Sequence, residues 1–112
     1  MSLLSLHALD EDADEIRIAL SGELDISSAL TFEEQLRRIE DSRHPATIVL
    51  DLSRLKFMDS TGVRLILSAH TRALRDGWRL QIVAGTEAVR RIFKLTGLTT
   101  RLDIVDGVPA HA

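Results

Sequence analysis

Asp59-Ser60-Thr61-Gly62 is the stretch of this chain best placed to do chemistry. It follows an apolar, β-branched run centred on Ile48-Val49-Leu50 and precedes a helical pattern that begins at Val63. That order sets the Ser60 hydroxyl at or next to a helix N-terminus. Backbone N–H groups there lack partners, and the helix dipole favours negative charge. A hydroxyl so placed has two uses. It caps the helix, or it stands at the surface as a group that another protein phosphorylates, so that a signal is written in charge.

Other chemistries lack their parts. A nucleophile elbow needs Gly-x-Ser-x-Gly, and here Met58 stands where the first glycine belongs. His7, His44, His70 and His111 sit in unrelated contexts, and His70 falls on the apolar stripe of its helix, so no base is assigned to Ser60. No two histidines share a helical face, and the chain has no cysteine, which removes thiolate metal sites, cysteine nucleophiles and disulfides. Gly62 stands without the glycine-rich run of a nucleotide loop. The sequence therefore predicts no catalytic residue, no metal and no cofactor.

The elements that position Ser60 follow from hydrophobic periodicity. Leu4, Leu6 and Ala8 alternate with polar residues, as do Ile16, Ile18 and Leu20, which predicts an antiparallel hairpin. Its turn is the acidic run Asp10-Glu11-Asp12-Ala13-Asp14-Glu15, and Ser21-Gly22 ends its second strand. Ala29, Phe32, Leu36 and Ile39 mark a first helix capped by Ser27 or Ser28, with an exit turn through Asp41-Ser42-Arg43-His44-Pro45. Ala46 to Leu52 reads as a central strand covered on both faces, leading into a short turn that Asp51 braces through backbone hydrogen bonds. The second helix presents Val63, Ile66, Leu67, His70 and Leu74 inward and closes at Asp76-Gly77. Trp78 to Ala84 is a further strand with Leu80, Ile82 and Val83 as its core. A third helix with Val89, Ile92 and Phe93 inward ends at Gly97-Leu98, and Leu102 and Ile104 make a short last strand.

The predicted class is α/β, a single layer of about five strands in a mixed sheet, ordered β-β-α-β-α-β-α-β with helices packed on it. At 112 residues and 45% hydrophobic, the chain has apolar material for one core, so residues 1–112 are expected to be one domain with 106–112 a frayed tail. The formal net charge is −3, split as −7 over residues 1–60 and +4 over residues 61–112. Without a basic excess, direct nucleic-acid binding is not expected. The start carries no basic leader and no long apolar run, so the expectation is a cytoplasmic protein with no membrane span.

Three segments in order and spacing resemble the STAS domain of bacterial anti-sigma factor antagonists: Gly22-Glu23-Leu24-Asp25, Val49-Leu50-Asp51-Leu52-Ser53, and Phe57-Met58-Asp59-Ser60-Thr61-Gly62. The resemblance covers nearly the whole length. It implies that Ser60 is phosphorylated by a partner that is both anti-sigma factor and serine kinase, and that a serine/threonine phosphatase reverses the modification. The unmodified form would bind the anti-sigma factor and free a sigma factor. Thr61 is a second candidate acceptor. The partner-binding set implied around the serine is Asp25, Met58, Asp59, Ser60, Thr61 and Gly62. On the residues alone, Asp25 either stiffens the turn before a helix or positions partner groups near Ser60. Leu24, Ile26 and Met58 either add apolar contact area around the site or face the core. The competing readings are an unphosphorylated STAS scaffold or accessory subunit of a lipid-transport ATPase complex, and, from another class, a small serine hydrolase.

Overall fold

The structure is a computed structural model and describes residues 4–10 and 14–105; the expected frayed tail and residues 11–13 of the acidic turn lie outside them. Its strands are β1 (Leu4–Asp10), β2 (Glu15–Leu24), β3 (Thr47–Met58), β4 (Arg79–Val83) and β5 (Asp103–Val105). Its helices are α1 (Ala29–Arg43), α2 (Ser60–Asp76) and α3 (Glu87–Leu95). The five strands form one sheet in sequential order, with β1 antiparallel to β2 and every later pairing parallel. Each parallel crossover steps one strand in the same direction, and right-handed connections then set all three helices on one face. The mixed α/β sheet expected from the periodicity is the one observed.

Under the helices the sheet is apolar. Ile16, Ile18 and Leu20 of β2, Ile48, Leu50 and Leu52 of β3, and Leu80 and Ile82 of β4 meet Phe32 and Leu36 of α1, Ile66 and Ala69 of α2, and Val89 and Phe93 of α3. Burying each large side chain contributes about 1.5–3 kcal/mol. On the opposite face Arg17 and Asp51 lie 3.5 Å apart on neighbouring strands, both nearly buried. Among the described residues no helix is long and apolar enough to cross a membrane.

Both strands leading to Ser60 outrun their expected ends. β2 does not stop at Ser21-Gly22. The register shifts between Ala19 and Ser21 and again between Gly22 and Glu23, and Gly22, at φ 99°, takes up a backbone turn that lets the strand continue to Leu24. In place of a short turn after Leu52, β3 runs on to Met58. Its pairing with β4 ends at Asp51, so within the sheet the extension pairs with β2 alone, and the Thr86 hydroxyl donates to Leu55 O at 3.4 Å; polar Ser53, Arg54 and Lys56 are tolerated there because the ribbon is partly open to water. Asp51 still accepts a hydrogen bond from the Ser53 N–H at 3.0 Å, but from within the strand.

The apolar stripe of α2 also lies further round than expected. Gly62, Val63, Ile66, Ala69 and Ala73 are buried, His70 is half-buried, and Leu74 is 73% exposed. Steps of four, three and four residues from Gly62 follow the helical period closely, and they leave Leu74 beyond the packed line. Arg72 lies in this interface. It reaches Glu40 of α1 through two hydrogen bonds, Nε to Oε1 and Nη2 to Oε2, both 2.8 Å. The C-terminal caps follow expectation: the Gly77 N–H donates to Ala73 O at 2.9 Å, and the Leu98 N–H to Phe93 O at 2.9 Å.

Candidate functional site

The site forms where β2 and β3 end side by side. Glu23 pairs with Phe57 and Leu24 with Met58, and the Asp59 N–H donates to Leu24 O at 3.3 Å. This last bond carries the pairing one residue beyond the strand and turns the chain into α2. Asp25 and Ser60 therefore leave from neighbouring strand ends, which brings together two segments 35 positions apart in the sequence.

Asp59 is the N-cap of α2. Its backbone is extended, and its carboxylate Oδ1 accepts from the Thr61 N–H at 2.9 Å and the Gly62 N–H at 3.2 Å. Asp59, and not the Ser60 hydroxyl, caps the helix. Ser60 is the first helical residue and is exposed; among the described residues its hydroxyl makes no hydrogen bond, to a histidine or to anything else. Thr61 is half-buried.

Gly62 is buried because α2 rests on the strand ends through it. A Cβ there would stand 2.5 Å from Met58 Cγ, 2.9 Å from Leu24 O and 3.1 Å from Leu24 Cγ. Met58 can rotate, but the carbonyl is the one that receives the Asp59 N–H. Gly62→Ala is expected to destabilise the protein by about 1–2 kcal/mol, overpacking outweighing the roughly 1 kcal/mol gain in helix propensity. Urea unfolding of the two proteins measures the difference; a stabilised alanine variant would contradict the close approach.

Asp25 stiffens its turn. Its Oδ1 accepts from the Ser27 N–H at 3.0 Å, the Ser27 hydroxyl at 2.7 Å and the Ser28 N–H at 3.3 Å. Ser28 is the N-cap residue of α1, yet its hydroxyl does not cap. It points back toward β2, donating to Glu23 O at 2.9 Å and accepting from the Asp25 N–H at 3.1 Å. These bonds fix the β2–α1 loop beside Ser60.

The apolar residues around the site divide differently from expectation. Met58 is 2% exposed and Leu24 is fully buried; both side chains lie in the core under Gly62, so neither offers surface to a partner. Ile26, at 79%, is open to solvent as one reading of the sequence had it. Two exposed residues escaped the sequence reading: Leu30 in the first turn of α1, at 71%, and Phe57 near the end of β3, at 47%. Only a weak signal for Phe57 was present in the sequence, its position next to the charged Lys56.

A family model described as "Mlab, STAS domain" matches residues 7–106. The chain is 27% identical over 94 residues to the anti-sigma-B factor antagonist of Bacillus subtilis, 84% of each protein. It is 30% identical over 89 residues to the anti-sigma F factor antagonist of Paenibacillus polymyxa, 80% of this chain and 76% of that one. The solved structure of the anti-sigma factor antagonist SpoIIAA in its unphosphorylated form superposes with a TM-score of 0.81 at 23% identity, covering 96% of this chain and 91% of that one. The shared fold and the length of the match agree, and the chain belongs to the STAS domain family, similar within it to anti-sigma factor antagonists.

Proposed function

We propose that this protein is an anti-sigma factor antagonist of the cytoplasm, a binding module rather than an enzyme. Its unmodified form docks on an anti-sigma factor that is also a serine kinase and so frees a sigma factor. Phosphorylation of Ser60 ends the binding, and a serine/threonine phosphatase restores it. In the modifying step the Ser60 Oγ forms a bond to the γ-phosphorus of ATP, ADP leaves, and the hydroxyl proton passes to a base on the kinase. One observation carries the reading: the Ser60 hydroxyl is exposed and uncommitted because Asp59 does the capping. A serine that held the helix would lose about 1 kcal/mol of stabilisation on modification, whereas this one gives up no bond. Ile26, Leu30 and Phe57 supply apolar area at the same end of the sheet.

Incubation with the cognate kinase partner and ATP, followed by intact-mass measurement, tests the assignment. A gain of one phosphoryl group that disappears in Ser60→Ala is expected. Stable association with transporter subunits and no phosphoryl gain would favour the accessory-subunit reading. Ester hydrolysis lost in Ser60→Ala would make the protein a hydrolase.

A further inference from the structure

Arg64 stands four residues after Ser60 on α2, and both side chains are exposed. Residues at that spacing lie one above the other on a helix, with Cβ atoms about 5–6 Å apart. Among the described residues Arg64 makes no ion pair and no hydrogen bond. The first turn of α2 contains no acidic residue. Arg64 lies one turn past the helix start, where the dipole's effect has largely faded, so in the unmodified protein its charge is tolerated without a fixed partner on the helix. A phosphate on Ser60 would supply that partner. Negative at the first position and positive four residues later is also the favoured order for a helical ion pair.

We propose that Arg64 is an intramolecular clamp for a phosphoryl group on Ser60. The proposal rests on the reading of Ser60 as the phosphoacceptor and gives that switch a second component. The guanidinium fork matches two phosphate oxygens, a geometry that lysine cannot reproduce. In the unmodified protein Arg64 is available to a carboxylate on the docked partner. After modification it turns to the phosphate, so the docking face gains an anion and loses a cation in one event.

The charged groups at this end of the sheet include Asp59 beside Ser60, Asp25 and Glu23 at the end of β2, Arg54 and Lys56 on β3, and Glu87 in the first turn of α3. All of them remain when Arg64 alone is replaced, so the difference between variants isolates the clamp. Phosphoserine installed at position 60 during translation of the full chain needs no kinase, and its second ionisation is read by phosphorus NMR. In the parent protein the midpoint is expected about half a pH unit below that of Arg64→Gln, with Arg64→Lys in between. The phosphorylated parent should also melt above phosphorylated Arg64→Gln, while the unmodified pair melts together. Equal midpoints in all three proteins would overturn the clamp. A clamp that fails in this titration leaves the kinase assay on Ser60 unaffected, and a failed kinase assay leaves the titration unaffected.

Discussion

Arg72→Ala is expected to cost about 3–5 kcal/mol of unfolding free energy. The Arg72 side chain is 6% exposed, its bidentate partner Glu40 is 7% exposed, and its Nη2 also lies 3.0 Å from Glu33 Oε1. The hydrogen bonds that Arg72 donates to Glu40 hold the guanidinium above its usual pKa, against the opposing effect of burial, and the charges of Glu40 and Glu33 add to the rise. The arginine thus stays charged throughout the working pH range and ties α1 to α2. Truncation leaves the buried Glu40 carboxylate without its cation, while Glu33, 23% exposed, keeps Arg37 at 3.5 Å. Domains of this size are stable by only about 5–15 kcal/mol, so a fall of roughly 10–20 °C in melting temperature follows. Arg72→Lys should recover only part of the loss, because an ammonium cannot reproduce the two parallel bonds. Joint replacement by Arg72→Met and Glu40→Leu should recover more, since the charges then leave together. Circular dichroism during urea unfolding ranks the variants, and a loss below about 1 kcal/mol for Arg72→Ala would show that the pair is merely tolerated.

Phosphorylation of Ser60 is expected to weaken anti-sigma factor binding by about 10- to 100-fold. The group adds roughly −1.5 to −2 charges next to the Asp59 carboxylate, with Asp25 on the loop that leaves the neighbouring strand. Two unit charges about 4 Å apart interact by roughly 4 kcal/mol at an effective dielectric near 20. Exposure to water reduces that figure considerably, yet a residual of 1.4 kcal/mol already changes affinity about tenfold. Ser60→Asp should act in the same direction but less strongly, having one charge and a shorter reach. Its thermal stability should stay within about 0.5 kcal/mol of the parent, because the hydroxyl it replaces holds no internal bond. Calorimetric titration at low and high salt tests the mechanism. The difference between forms should narrow as salt rises, and equal affinity of both forms at low salt would remove the charge mechanism.

Local sequence determined the kinds of element and their order. Alternation in Ile16, Ile18 and Leu20, the run Ile48-Val49-Leu50, and the helical spacing of Phe32 and Leu36 each report a face shared with near neighbours, which the backbone period alone dictates. The helix ends at Asp76-Gly77 and Gly97-Leu98 were legible for the same reason, since cap geometry is complete within a few residues. So was the placing of Ser60 at the head of α2.

Only the tertiary structure decided which surface those elements present. Met58 and Phe57 are adjacent and both apolar, and on the strand they point to opposite faces; Met58 is buried because Gly62 lets α2 settle over it, and Phe57 stays 47% exposed on the face away from α2. The choice of Asp59 over Ser60 as cap goes with the bond from the Asp59 N–H to Leu24 O, which extends the β2–β3 pairing into the helix start. Arg72 reads as one more cation on a polar helix face until Glu40, 32 residues earlier, is brought against it. In each case the deciding partner is far away in sequence, and a periodic pattern contains no information about which distant residue will arrive.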